Sequence, residues 1–166
     1  MTLWIQACRA HLALANGLDH LRSLLLLGTR LWVSWEFLKS GWLKLTTWDV
    51  TLELFHSEYQ VPLLPPTVAA IAGTFGELFF PLLLVLGLFT RLGALGLFAV
   101  NLMAVVSYWH VLGGDGFEAA LGQHVLWGYM IAVVAVVGSG AISVDALLEK
   151  QRSRATMGWS RTGLYS

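Results

Sequence analysis

One carboxylate stands inside an apolar stretch of the chain, where charge is rare. Glu77 occupies the middle of the apolar run 67–89. At a rise of about 1.5 Å per residue it would lie roughly 15 Å deep, near the centre of a hydrocarbon core about 30 Å thick. Because an ionised side chain costs roughly 2.5–3.5 kcal/mol at that depth, we expect Glu77 to face other helices and to be a functional residue. Pro81 lies four residues later and has no N–H to donate to the carbonyl of Glu77.

Further polar side chains are predicted at a similar depth. Glu36 and Lys39 are three residues apart in the first apolar stretch, so they can pair on one helix face. Asn101 lies about 15 Å deep in the third stretch. With Glu77 and Arg30 they form a predicted buried polar cluster. Two interpretations remain open. The cluster either fixes helix register, or it forms a ligand cavity in which Glu77 exchanges a proton while Glu36 and Lys39 tune its pKa.

Histidine and methionine residues suggest a second, metal-binding hypothesis. His110 ends the third apolar stretch, His124 begins the fourth, and His56 lies between the first two. Imidazole binds copper or zinc, and the thioethers of Met103 and Met130 are soft ligands for copper(I). These residues do not have the spacing of a local metal motif. Interface anchoring by the histidines and core packing by the methionines are therefore the competing explanations.

The composition is that of a membrane protein. The 166 residues are 57% hydrophobic and only 12% charged, and the mean hydropathy is +0.68. Soluble domains carry about 25% charged residues. The formal net charge of zero removes an electrostatic argument for nucleic-acid binding. The single cysteine, Cys8, excludes an internal disulfide or dithiol. Since no haem, flavin or iron–sulfur motif is present either, we do not expect a stand-alone enzyme.

Four apolar stretches predict an all-α membrane protein built as a four-transmembrane-helix bundle. The predicted spans are residues 21–45, 67–89, 92–111 and 121–142. Between the first two spans, apolar residues recur at helical spacing at Trp48, Leu52, Phe55 and Tyr59. This pattern predicts an amphipathic helix at the membrane interface between helices 1 and 2.

The charges that flank the spans predict how the bundle is oriented in the membrane. The loops on one side carry the basic residues Arg9, Arg22, Arg91, Lys150, Arg152, Arg154 and Arg161. The opposite loops hold five acidic residues against Lys44 alone. The positive-inside rule then places both termini in the cytoplasm. The chain divides into an N-terminal interfacial segment (1–20), a membrane domain (21–148) and a basic cytoplasmic tail (149–166).

A series of motifs in a characteristic order resembles a known family. The motifs are Arg30 followed by Phe37-x-x-x-Gly41-x-x-Lys44, the helix that carries Glu77, the turn Gly87-Leu-Phe-Thr-Arg91 and the ending Gly140-Ala-Ile-Ser143-Val-Asp145. Together they resemble the DoxX family, small four-helix proteins of the bacterial inner membrane, over residues 22–148. Residues 48–66 are similar to one subgroup, which is found beside enzymes that build copper-chelating modified peptides.

The resemblance implies a membrane subunit of a redox or oxidative-stress response system. The family is tied to thiosulfate:quinone oxidoreductase subunits and to membrane complexes that answer oxidative stress, which implies a quinone-accessible cavity around Glu77. An alternative is transport or docking of copper or of a copper-binding modified peptide, and a third is a structural hub without a ligand. The expected partners are the lipid bilayer and other membrane or peripheral proteins, and a homo-oligomer is left open. A fold does not by itself decide among these functions.

Overall fold

The protein is all-helical over the part of the chain that the structure describes. The computed structural model describes the backbone of residues 2–162, and its description of side chains leaves out residues 1–3, 8, 10, 12, 13, 15, 16, 19, 20 and 155–166. The helices are α1 (Thr2–Thr46), α2 (Trp48–Ser57), α3 (Pro66–Leu86), α4 (Thr90–Ser107), α5 (Trp109–Leu112), α6 (Glu118–Val137) and α7 (Val144–Thr162). No strand occurs in residues 2–162, which confirms the all-α prediction.

The first helix is longer than the span predicted from the sequence. α1 runs unbroken for 45 residues, so no turn separates residues 2–20 from the predicted first span at 21–45. The expected boundary rested on a change in polarity, but the segment contains no proline that would end a helix there. An interfacial location for residues 1–20 stays a prediction, and the side chain of Cys8 lies outside the described residues.

Three of the described helices are long and apolar enough to cross a membrane. They are α3, α4 and α6. α1 is not among the helices that combine this length with sufficient hydropathy and few charges. Its second half carries the charged residues Arg30, Glu36 and Lys39. Large apolar side chains are exposed along all of these helices, as lipid contact requires. The protein is therefore a multi-pass membrane protein in a lipid bilayer.

The four long helices pack into one bundle. The second half of α1 packs on α3, α3 packs on α4, α4 packs on α6, and α6 contacts α1. The core between them consists of Val33, Phe37, Leu84, Ala94, Leu97, Ile131 and Val134. α1 and α3 pack tightly at Gly41, where an added Cβ would lie 2.9 Å from Cγ of Leu78. Any larger residue at this position would push the two helices apart.

The amphipathic segment predicted between the first two spans is a helix, and α3 covers its apolar face. In α2 and the residues that follow it, Phe55 is buried against Ala69 and Ala70 near the start of α3. The other members of the predicted apolar stripe, Trp48, Leu52 and Tyr59, pack around the same cluster. α2 thus lies over one end of the bundle, which we call the Lys44 end because α1 finishes there.

Three of the predicted spans end earlier than the apolar stretches suggested. The second ends at Leu86, because Gly87 takes the left-handed conformation with φ +66°. The third ends at Ser107, because Tyr108 leaves the helical conformation (φ −115°, ψ 20°) and a separate short helix, α5, follows. The fourth ends at Val137, because Gly138 takes φ +94° and ψ −167°, a conformation open almost only to glycine. The predicted tail then begins inside α7.

Arg30 ties together the other end of the bundle, which we call the Arg30 end. Its side chain is 1% exposed. The guanidinium donates to the carbonyls of Leu84 (2.8 Å) and Val85 (3.4 Å) in the last turn of α3. It also donates to Ser139 and, at 3.2 Å, to Ile142 in the turn after α6. Arg30 therefore joins the last turn of α3 to the turn that follows α6.

Asp145, at the start of α7, caps the N-terminus of α4. Its carboxylate accepts hydrogen bonds from the backbone N–H groups of Phe89 and Thr90, both at 2.9 Å, and from the Thr90 hydroxyl at 2.8 Å. Its own N–H donates to the carbonyl of Gly87. Burial raises the pKa of Asp145, but the hydrogen bonds from Thr90 and Phe89 and the charge of Arg30 outweigh it, so this pKa lies below its ordinary value.

Replacing Asp145 by asparagine is expected to destabilise the protein by about 0.3–1 kcal/mol at neutral pH, the usual contribution of a negative charge at a helix N-terminus. Because the folded-state pKa of Asp145 is depressed, its contribution is present above the ordinary carboxyl pKa and is lost as the pH falls through the folded value. Thermal melts in detergent should therefore show a larger loss of stability between pH 5 and pH 3 for the wild type than for Asp145→Asn. Equal losses would contradict this assignment.

Candidate functional site

Glu77 forms an ion pair with Lys44 in the last turn of α1. The ammonium nitrogen lies 2.6 Å from both carboxylate oxygens and 2.9 Å from the hydroxyl of Ser40. The Glu77 and Lys44 side chains are only 9% and 20% exposed. The close approach of α1 and α3 at Gly41, one turn before Lys44, allows this contact. The buried carboxylate is thus matched by a partly buried cation.

The two residues that the sequence placed beside Glu77 lie elsewhere on α1. Glu36 and Lys39 pair with each other at 2.8 Å, and their side chains are 21% and 49% exposed. Val33, Phe37 and Gly41 form the buried face of α1, and Lys44 continues that row. At about 100° per residue, Lys39 lies on the opposite face from Phe37. The spacing from Phe37 through Gly41 to Lys44 is the sequence signal that points to the correct partner.

Asn101 contacts a histidine rather than the ion pair. Its amide nitrogen donates to the backbone carbonyl of His124 at 3.0 Å, and its amide oxygen lies 2.9 Å from Nδ1 of the same histidine. Asn101 is buried in α4. The His124 ring meets Trp127 edge to face, with the ring centroids 5.1 Å apart. Asn101 thereby fixes the orientation of His124, a role that the sequence did not suggest.

Arg30 is not part of this group. It contacts the carbonyl of Leu84, which lies seven residues beyond Glu77 in α3. That separation corresponds to about 10 Å along the helix axis. The polar cluster predicted from the sequence therefore divides into four parts. These are the ion pair of Glu77 at the Lys44 end, the contact of Asn101 with His124, the partly exposed pair of Glu36 and Lys39 on α1, and Arg30 at the other end, where it joins helix ends.

The ion pair and His124 both line one cavity of about 470 Å³ at the Lys44 end. Most of the lining is apolar. Small residues of α3 and α4, among them Gly73, Gly96 and Ala99, provide the space. The cavity has the volume and the apolar lining with few polar groups that are typical of small-molecule sites.

Several residues of α3 and α4 that line the cavity are exposed, whereas Phe55 of α2 covers the cavity from another side and is buried. The exposed residues are Ala72 of α3 and Ala99 and Met103 of α4. On the covered side, Tyr59 contacts Tyr108 edge to face at 5.3 Å. Burial raises the pKa of Tyr59, and Tyr108 and the Glu77 carboxylate add to this effect. The polar groups thus lie inside, and the exposed lining residues are apolar.

The residues predicted to bind a metal do not assemble into one site. His124 and Met103 line the cavity. His56 is exposed on α2, 3.3 Å from the Thr67 hydroxyl, and His110 is exposed on α5. Met130 is partly buried in α6. Across the described part of the chain, no three His, Cys, Asp or Glu side chains are grouped so that they could hold a metal ion.

The sequence pattern of a known family, DoxX, covers most of this site. It matches residues 25–110, just over half of the chain, and so includes Arg30, Lys44, Glu77 and Asn101. The chain belongs to the DoxX family. The matched region of this DoxX protein ends before α6, so His124 lies outside it. Curated proteins and solved structures give no match to the chain. The resemblance to the subgroup associated with copper-chelating peptides stays a prediction.

Proposed function

We propose that this DoxX protein is an inner-membrane subunit of a redox or stress-response system and that it binds a quinone in the cavity around Glu77. The observation that carries the proposal is the cavity itself. About 470 Å³ of mostly apolar space contains an ion pair and one histidine at its polar part. A quinone has the matching chemistry, a flat ring with polar oxygens and an apolar tail.

The position of the exposed lining residues supports a ligand that arrives from the membrane. α3 and α4, which carry these residues, are both apolar enough to cross a bilayer. A lipid-soluble molecule can therefore enter sideways, with its tail remaining among the exposed apolar side chains of these helices. The role of the protein would be to bind and orient the ring and to keep water away from it.

The proposal includes α1 as a fourth span. The outward-facing residues of its second half are mainly apolar and include Leu24, Leu31, Trp32 and Trp42. The buried guanidinium of Arg30 donates to four carbonyls and so does not face lipid uncompensated. With four spans, the positive-inside rule places both termini in the cytoplasm, and the cavity then lies on the periplasmic side beneath the interfacial helix α2.

Quinone binding is tested with the purified protein in lipid nanodiscs. A short-tailed benzoquinone should bind in the micromolar range, measured by isothermal titration calorimetry, and should quench the fluorescence of nearby tryptophan. Gly73→Leu should weaken this binding by tenfold or more. Its Cβ would meet only Phe55 at 3.5 Å, so the added side chain can fill the cavity without displacing the backbone.

Gly122→Leu is the matched control for this experiment. Gly122 is an exposed helical glycine near the same end of the bundle, and a Cβ there would meet nothing within 4 Å. Unchanged affinity in Gly122→Leu together with lost affinity in Gly73→Leu supports the site. Absence of binding of both the quinone and its reduced form by the wild type, or equal binding by both variants, would refute it. The copper and structural-hub alternatives stay predictions, because no contact in the described residues favours either one.

A further inference from the structure

The hydrogen-bond donors of the cavity are largely used by the protein itself. An ammonium group has three N–H donors. The ammonium group of Lys44 donates to the carboxylate of Glu77 and to the Ser40 hydroxyl. Lys44 is therefore engaged by the protein itself, and the Ser40 hydroxyl can both donate and accept. The buried indole N–H of Trp127 has no partner in the structure, but Trp127 does not line the cavity.

The acceptors of the cavity, in contrast, remain available. An ionised carboxylate has about four lone-pair positions, and Lys44 occupies two of those on Glu77. His124 supplies another acceptor. Because the amide nitrogen of Asn101 donates to a backbone carbonyl, its amide oxygen must face Nδ1 of His124, which has to be the donor.

Asn101 thus fixes the tautomer of the neutral imidazole. With the proton held on Nδ1, Nε2 carries a free lone pair. No hydrogen-bond partner for Nε2 occurs among the described residues. His124 lines the cavity whereas Asn101 does not, so the histidine is the member of this pair that a ligand can reach.

We propose that the cavity selects a ligand that donates hydrogen bonds, and that it therefore binds the reduced hydroquinone more tightly than the oxidised quinone. This inference rests on the proposed function and names the redox form that the site holds. A quinone offers only carbonyl acceptors, whereas a hydroquinone offers two O–H donors to Glu77 and to Nε2 of His124. The hydroxyls of Tyr59 and Tyr108 can donate or accept, so they favour neither form.

The test compares the two redox forms on the wild-type protein. A short-tailed benzoquinone and its dithionite-reduced hydroquinone are titrated anaerobically into the protein in nanodiscs at pH 7.5, and the binding heats are measured. Two additional hydrogen bonds predict a preference for the hydroquinone of about tenfold or more. Equal affinities, or tighter binding of the quinone, overturn the inference while leaving the proposed function intact. Binding of neither form overturns both.

Two variants assign the preference to His124. His124→Phe keeps a ring at this position and removes Nε2, so it should lower the affinity for hydroquinone several-fold more than the affinity for quinone and thereby reduce the preference. Asn101→Leu removes the group that fixes the tautomer and should reduce the same preference while His124 is retained. His56→Phe is the control, because His56 is exposed and lies outside the cavity. This variant should keep the wild-type ratio of hydroquinone affinity to quinone affinity. A preference unchanged in both variants contradicts the role of His124.

Discussion

Replacement of Lys44 by methionine is expected to destabilise the folded protein by about 3–5 kcal/mol, the range for breaking one side of a buried ion pair. The reason is the low exposure of the Glu77 carboxylate, whose two oxygens both accept from Lys44. A lone carboxylate there would either remain buried and unpaired or take up a proton. Thermal unfolding in detergent, followed by circular dichroism, measures the change.

The double variant Lys44→Met with Glu77→Met separates the charge effect from packing. Replacing a buried pair by apolar residues of similar size is often close to neutral. The double variant should therefore be more stable than Lys44→Met alone. Lys39→Met is the matched control, since its pair with Glu36 is partly exposed and should contribute no more than about 1 kcal/mol. A double variant as unstable as the single one would show that shape, not charge, governs this position.

Replacement of Arg30 by methionine is expected to have the other large effect, a loss of at least about 4 kcal/mol or failure to accumulate folded protein. Each buried carbonyl left without a donor costs about 1–3 kcal/mol. The guanidinium serves two separate segments, the last turn of α3 through Leu84 and Val85, and the turn after α6 through Ser139 and Ile142. The yield of monodisperse protein and its melting temperature are the measurements.

Arg30→Lys tests whether the planar guanidinium group is needed to join the last turn of α3 to the turn after α6. An ammonium group lacks the planar fork of a guanidinium and cannot reach both segments in the same way, so only part of the stability should return. Arg22→Met is the control, because Arg22 is an exposed arginine on the same helix. If Arg30→Met proved as stable as Arg22→Met, the hydrogen bonds of Arg30 would have no energetic role. Quinone affinity of any folded Arg30 variant should be unchanged, since Arg30 does not line the cavity.

These predictions separate the two ends of the bundle. At the Arg30 end, the polar groups join helix ends to one another and leave the guanidinium fully buried. At the Lys44 end, the polar groups face a cavity with room for a ligand. Variants at the first end should therefore change stability alone. Variants of Lys44 and Glu77 should change stability and ligand binding together.

Much of the fold was determined by the sequence alone. The low charge and long apolar stretches predicted an all-α membrane protein, and the ordered motifs indicated the DoxX family, which the match over residues 25–110 confirms. The amphipathic helix after the first span was also read correctly as a helix. These features follow from composition and periodicity, which act over a few turns of one helix. Burial of Glu77 followed in the same way from the cost of a charge in lipid.

Only the tertiary structure decided which polar groups meet. Depth counted along each helix placed Glu36 and Lys39 near Glu77, but depth does not give the rotation of one helix against another. That rotation is set by the packing of Gly41 on α3, which directs Lys44 to Glu77 and leaves Lys39 on the outer face. The pairing of Asn101 with His124 joins residues 23 positions apart on two helices. No local pattern carries such a contact, because it depends on how complete side-chain surfaces fit together.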